Sequence, residues 1–259
     1  MAVVNALLVV RDSTAHVKLT LITLVMVFKE NTTASSMGNG LLLRFLVNQA
    51  ITVKGMLKSL LTLADVMATG YHAARVANVN NGDTVVVMGD GAVGLCAIIA
   101  AKMRGAKKII STSRHADREA LAKEFGATDN VAERGDEAVE KIMELTHGDG
   151  ADAVLECVGT EQSTDTAMKV GRPGAIVGRV GLPHTPKQDM ITPFYKNTIV
   201  AGGPASVTTY DKAVLLKAVL DGEINPGKVF TKTFTLDQIQ DAYKAMDDRQ
   251  VIKSYVVID

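Results

Sequence analysis

The segment Asp83-Thr-Val-Val-Val-Met-Gly-Asp-Gly-Ala-Val-Gly-Leu95 decides the fold of this chain of 259 residues. The β-branched run at 83–88 predicts a buried strand, and the apolar residues 92–103 predict a helix that ends before Gly105. Between the two lies the glycine pattern G-x-G-x-x-G. In this position the pattern indicates a turn that binds phosphate groups, because unpaired N–H groups at the helix start point towards the ligand.

Beyond this segment, strands and helices continue to alternate. Further strands are predicted at 108–112, 151–158 and 175–180, and helices at 56–77, 117–125, 136–146 and 164–170. This alternation predicts an α/β fold with a doubly wound parallel sheet, the Rossmann fold. After residue 203 the pattern changes to helices at 211–220 and 236–246 and strands at 229–234 and 254–258. Residues 1–55 show no clear alternation, so we expect an irregular N-terminal segment.

The three glycines of the loop have separate roles in a dinucleotide site. Gly89 allows the tight turn, Gly91 lets the backbone approach a pyrophosphate, and Gly94 lets the helix pack closely on the strand. The residues predicted to bind the cofactor here are Gly89, Asp90, Gly91, Ala92, Val93 and Gly94.

The end of the second strand indicates which dinucleotide is bound. An NAD site carries an Asp or Glu there, which binds the ribose diol. In this chain the position is Ser113, followed by Arg114. A hydroxyl beside a guanidinium suits a 2′-phosphate, so the sequence predicts NADP(H). The alternative is that Arg114 only caps the strand on a solvated face.

Composition excludes several classes of partner. Lys+Arg and Asp+Glu are equal at 28 each, so no net field attracts nucleic acid or an anionic membrane. The apolar runs 2–10 and 19–28 are shorter than the roughly 20 residues that span a bilayer. The two cysteines, Cys96 and Cys157, lie in apolar runs and predict packed thiols. We therefore expect a cytoplasmic protein without nucleic-acid or membrane partners.

Several further stretches resemble one enzyme family. The segments 61–73, 89–94, 150–159, 222–246 and 251–254 are similar to those of the medium-chain, zinc-dependent alcohol dehydrogenases. The resemblance covers about four fifths of the chain. It implies hydride transfer between a small alcohol or carbonyl substrate and a nicotinamide cofactor, with zinc as Lewis acid, in a homodimer or homotetramer.

The resemblance also assigns roles to individual residues. Asp65 falls on the position of the third catalytic-zinc ligand, while the nearby His72 matches no ligand position. Lys253 falls where the family places a basic contact to the pyrophosphate. The strand end that contacts the nicotinamide half matches Gly178, Val180, Gly181 and Leu182.

The N-terminal segment departs from the family pattern. The first two zinc ligands should be a Cys and a His, but residues 1–55 contain no Cys, and their only His is His16. Catalytic zinc needs three protein ligands and an open position, so Asp65 alone is insufficient. By synonymous codons, residues 37–54 can be back-translated into DNA whose other frame encodes a family-like segment, which suggests a frameshift; the alternative is a real, divergent or truncated N-terminus.

These observations predict three segments: 1–55, an unrecognisable remnant of a catalytic domain, with a frameshift as the hypothesis for its origin; 56–203, the NADP-binding Rossmann domain with a leading helix; and 204–259, the C-terminal segment of the catalytic domain. We expect an alcohol dehydrogenase-like oxidoreductase that is incompetent as this polypeptide. The alternative is a non-catalytic nucleotide-binding fragment or interaction protein. A methyltransferase also has a glycine loop after its first strand, but it would not explain the other segments.

Overall fold

A computed structural model describes residues 8–11, 53–184, 191–205 and 208–258. These residues fall into two compact units. The larger unit is Asp65–Leu215, and the smaller contains the described parts of Met1–Ala64 and Leu216–Asp259. The predicted division at 1–55, 56–203 and 204–259 stays a prediction, as does the origin of residues 1–55.

The larger unit contains a parallel sheet of six strands in the order β4-β3-β2-β5-β6-β7. The strands are β2 (Thr84–Met88), β3 (Lys108–Thr112), β4 (Asp129–Val131), β5 (Ala151–Glu156), β6 (Gly171–Arg179) and β7 (Ile199–Gly202). The chain first adds strands on one side of β2 and then on the other, so the winding reverses between β2 and β5. The predicted doubly wound parallel α/β fold is confirmed. In such sheets ligands bind at this switch point, beyond the carboxyl ends of the strands.

Helices alternate with the strands of this sheet along the chain. They are α2 (Val66–Val76), α3 (Ala92–Met103), α4 (Ala116–Phe125), α5 (Gly135–Leu145), α6 (Glu161–Val170) and α7 (Ile191–Lys196), and α8 (Thr209–Leu220) follows β7. Residues of the central strands, such as Val86, Ile110 and Val154, form one apolar core with Ile142 of α5 and Met168 of α6. Burial of these aliphatic side chains stabilises the sheet by about 1.5–3 kcal/mol for each large side chain.

Residues 56–77 form two helices, so the prediction of one helix was wrong. Helix α1 (Val53–Thr62) ends where the N–H groups of Leu63 and Ala64 donate to the carbonyls of Leu60 and Leu61, in the tighter i→i−3 pattern. Asp65 then has a non-helical backbone (φ −148°, ψ −87°) and precedes α2. Apolar residues continue on both sides, with no Pro or Gly at the break, so periodicity alone did not reveal it.

The smaller unit contains a parallel sheet of three strands in the order β1-β9-β8. Its elements besides α1 are β1 (Leu8–Arg11), a 3₁₀ turn (Pro226–Val229), β8 (Phe230–Thr235), a second 3₁₀ turn (Leu236–Gln238), α9 (Ile239–Asp247) and β9 (Lys253–Ile258). Strand β1 corrects the expectation that the N-terminal segment is wholly irregular; residues 12–52 lie outside the described residues. Among the helices in the described ranges, none is long and apolar enough to cross a bilayer.

Candidate functional site

The glycine loop between β2 and α3 is held by the neighbouring strand. Gly89 has φ +106°, in the left-handed region that favours glycine. Its N–H donates to Thr112 Oγ1 at 3.0 Å, and the Thr112 hydroxyl donates to the carbonyl of Val87 at 3.1 Å. The last residue of β3 therefore fixes the first residue of the loop. Sequence reasoning did not identify Thr112, since a Thr at a strand end is common.

Gly91 and Gly94 differ in what surrounds them. A Cβ on Gly94 would overlap the carbonyl of Gly89, so this position packs the helix onto the loop. A Cβ on Gly91 would meet nothing within 4 Å, and Gly91 is exposed. The loop is therefore closed on its inner side and open on its outer side.

The open side of the loop is also the start of helix α3. The first N–H groups of a helix have no intrahelical acceptor, and Gly91 as N-cap offers no side-chain cap. The N–H groups of Ala92 and Val93 belong to this first turn, where the helix dipole favours an anion. The described residues thus fit a pyrophosphate at Gly91.

Ser113 is rigidly held at the end of β3. Its N–H donates to Asn130 Oδ1 at 3.0 Å, and Asn130 Nδ2 donates to the Ser113 carbonyl at 3.0 Å. Ser113 is only 1% exposed, whereas Arg114 is exposed. The sheet therefore brings Ser113 next to the glycine loop and leaves the Arg114 side chain accessible from solvent.

Asp90 of the glycine loop connects to Ser113. The Ser113 hydroxyl donates to Asp90 Oδ2 at 2.7 Å, and Arg118 Nη1 lies 3.3 Å from Asp90 Oδ1. Sequence reasoning missed Arg118. One signal was available: a cation in the first turn of a helix is electrostatically unfavourable, so Arg118 in α4 suggested a carboxylate partner.

Glu156, the last residue of β5, connects the loop after β5 to the loop after β6. Its side chain is fully buried, and Oε1 accepts hydrogen bonds from the N–H groups of Val158 and Gly159, both at 2.9 Å. The Glu156 carbonyl accepts from the N–H groups of Val180 and Gly181 at 2.9 and 3.0 Å. Glu156 therefore fixes the backbone after β6 against the backbone after β5. An acidic residue at the end of an apolar strand was the signal that the sequence offered.

The residues predicted to contact the nicotinamide half are Gly178 in β6 and the residues directly after that strand. A Cβ on Gly159 would overlap the carbonyl of Leu182, and one on Gly181 would overlap the N–H of Gly159. Leu182 itself is 58% exposed. Gly178 is different, because a Cβ there would overlap the Ala73 carbonyl of α2. Gly178 thus packs a helix against the sheet.

The three remaining polar candidates belong to different parts of the chain. Asp65 is the partly buried residue before α2, and Lys253 is the buried first residue of β9 in the smaller unit. His72 is buried in α2, where burial and the Arg75 guanidinium lower its pKa and Asp211 partly opposes them. The lowered pKa favours the neutral form of the His72 imidazole. The roles of Asp65 and Lys253 stay predictions.

A catalytic zinc does not fit the described residues. Across 8–11, 53–184, 191–205 and 208–258, no three His, Cys, Asp or Glu side chains lie together as a metal site. Both cysteines are reduced thiols: Cys96 is buried, and burial and then Glu156 raise the pKa of Cys157 well above its usual value.

Known proteins are similar to this chain in sequence. A family model described as zinc-binding dehydrogenase matches residues 92–210. The chain is 30% identical to the NADP-dependent isopropanol dehydrogenase of Clostridium beijerinckii, over 82% of this chain and 63% of that protein. It is 32% identical to the enzyme of the same name from Thermoanaerobacter brockii, over 78% of this chain and 60% of that protein.

A solved structure of an alcohol dehydrogenase is also similar to this chain. Alcohol dehydrogenase TADH from Thermus sp. ATN1 superposes with a TM-score of 0.72 at 28% identity, covering 78% of this chain and 60% of that one. The chain therefore spans less than two thirds of the length of each of these relatives.

Proposed function

The C-terminal part of this chain belongs to the medium-chain, zinc-dependent alcohol dehydrogenase family, and on that premise we propose an NADP-dependent oxidoreductase that transfers hydride between an alcohol, which becomes a carbonyl compound, and the nicotinamide of the cofactor. The observation that carries the proposal is the open start of α3 at Gly91, beside Ser113 and Arg114. The isopropanol dehydrogenase relatives, which are named as NADP-dependent, support the choice of cofactor.

The residues of the larger unit would each serve one part of the cofactor. The first turn of α3 binds the pyrophosphate through backbone N–H groups, and Arg114 pairs with the 2′-phosphate. Glu156 orients the loops carrying Val180, Gly181 and Leu182 beside the nicotinamide. When bound, the nicotinamide accepts or donates the hydride. Lys253 as a pyrophosphate contact and Asp65 as a zinc ligand remain family-based proposals.

Cofactor selectivity gives the first test. NADPH should bind more tightly than NADH by about 1–3 kcal/mol, the value of a charge-assisted contact. This corresponds to about 5- to 150-fold in Kd. Arg114→Ala should remove most of the difference, because Arg114 is exposed and its loss disturbs no packing. Fluorescence titration with both cofactors measures the two constants.

Lys107→Ala is the matched control for this test. Lys107 is an exposed cation just before β3, at the opposite end of the strand from Ser113. Its removal changes the net charge equally but should leave the NADPH preference unchanged. Equal constants for NADPH and NADH in the unaltered chain would contradict the proposed cofactor.

We also propose that the chain forms a homo-oligomer, as its family resemblance implies. Strand β7 is the last strand of the larger sheet, and its Ile199 and Val200 are 54% and 41% exposed. An exposed apolar edge strand is a template for pairing with another chain. Light scattering should show a dimer or larger species, and Ile199→Lys should shift it towards the monomer. A monomer at micromolar concentration without the substitution would contradict this proposal.

A non-catalytic nucleotide-binding or interaction protein is the second candidate. The observation that favours it is that the described residues lack a three-ligand metal site. Both candidate functions use the same cofactor site, so cofactor binding does not distinguish them. The zinc content and the alcohol oxidation rate of the purified chain do. The two reduced thiols are consistent with the cytoplasm, which we keep as the proposed compartment.

A further inference from the structure

The carboxylate that the end of β3 lacks is supplied by another segment. The side chain of Asp90 reaches Ser113, the position where dinucleotide sites of this fold carry the ribose-binding acid. The contact is short, at 2.7 Å between Ser113 Oγ and Asp90 Oδ2. Asp90 directly precedes Gly91, so the same loop borders the pyrophosphate position and the ribose position.

The Ser113 hydroxyl already takes part in hydrogen bonds within this site. A serine hydroxyl has one proton to donate, and its nearest acceptor is Asp90 Oδ2 at 2.7 Å, closer than the His115 carbonyl at 3.2 Å. The hydroxyl also accepts from the N–H of His115 at 3.1 Å. While Asp90 is charged, Ser113 cannot donate to a 2′-phosphate without releasing that carboxylate.

Arg118 balances the charge of Asp90. Its Nη1 lies 3.3 Å from both Asp90 Oδ1 and the Asp90 carbonyl oxygen. The two side chains are mostly buried, at 9% exposed for Arg118 and 19% for Asp90. A carboxylate that retains some exposure can still accept a hydrogen bond from a ribose 2′-hydroxyl, whereas it repels a 2′-phosphate.

We propose that Asp90 is a specificity-determining residue of the cofactor site, which limits the preference for NADPH and allows NADH to bind. The inference rests on the proposed function, since it concerns the same site. Asp90 and Arg118 have opposite effects on the preference between NADH and NADPH. Asp90 favours the ribose hydroxyl, and Arg118 weakens the repulsion between Asp90 and a 2′-phosphate.

Asp90→Asn tests this role, because asparagine keeps the shape of the side chain and removes its charge. The ratio of Kd for NADH to Kd for NADPH should rise about tenfold, through weaker NADH binding and tighter NADPH binding. Both constants are measured on one preparation, so a loss of folded protein cancels in the ratio. Asp117→Asn is the matched control, an exposed acid in the first turn of α4 whose removal should leave the ratio unchanged.

Arg118→Gln is the reciprocal variant and should lower the same ratio about tenfold, because Asp90 keeps its charge without the guanidinium beside it. A purely structural role would move both constants together and leave the ratio constant in both variants, which would overturn the inference. A chain that prefers NADPH, with a ratio unaffected by Asp90→Asn, would preserve the proposed function and refute the role of Asp90. No binding of either cofactor to the unaltered chain would refute both.

Discussion

Replacing Gly91 with valine should weaken NADPH binding at least about 100-fold while the protein remains folded. The backbone of Gly91 (φ −78°, ψ 179°) is accessible to valine, and a Cβ there meets nothing within 4 Å. The branched side chain would instead occupy the space in which the pyrophosphate approaches the first turn of α3. Loss of one or two hydrogen bonds to a charged group accounts for about 3 kcal/mol, or about 100-fold in Kd.

The measurement is a calorimetric titration with NADPH, accompanied by the thermal unfolding temperature. Ala120→Val, an exposed substitution in α4, controls for the added branched side chain. Gly94→Val is the informative contrast, because its Cβ would overlap the Gly89 carbonyl and should lower the unfolding temperature. Undiminished NADPH binding by the Gly91 variant would show that the loop is not the phosphate site.

The second large effect concerns zinc and catalysis. We expect the 259-residue polypeptide to hold far less than one zinc per chain and to oxidise alcohols at least about 100-fold more slowly than a zinc-replete relative. The physical reason is the ligand set: Asp65 is predicted as a ligand from the family resemblance, but residues 1–55 contain no Cys. An ion held by one carboxylate remains largely hydrated, and the Lewis acid supplies several kcal/mol of transition-state stabilisation.

Elemental analysis of the purified chain and alcohol-dependent NADPH formation measure these two quantities. An isopropanol dehydrogenase assayed in parallel provides the positive control. Joining residues 56–259 to the N-terminal catalytic domain of such a relative should restore both zinc and activity, and Asp65→Asn should then remove both. Stoichiometric zinc and rapid alcohol oxidation by the chain as it stands would refute the interpretation of residues 1–55.

The fold class was predictable because its signals are local. The strand before Gly89 and the helix after Gly91 follow from hydrophobic patterning over about ten residues. Helix α3 begins and ends at the predicted residues, Ala92 and Met103, and β3 matches its predicted bounds. The spacing of the three glycines in the loop is equally local. Hydrophobic patterning did not predict the helix break after Thr62, because no Pro or Gly lies there.

The contacts that define the candidate site were decided by the tertiary structure. Asp90 and Ser113 are separated by 23 residues and Asp90 and Arg118 by 28, so no short motif could show that they meet. Local hydrophobic patterning also does not predict the order of the strands. That order makes β2 and β5 neighbours and places β7 at the edge of the described sheet. The sequence alone determined the glycine-rich turn between the strand and the helix, because a glycine requirement is a property of the backbone at that residue. Which charged side chains lie near Ser113 depends on chain segments that only the folded sheet brings within hydrogen-bond distance.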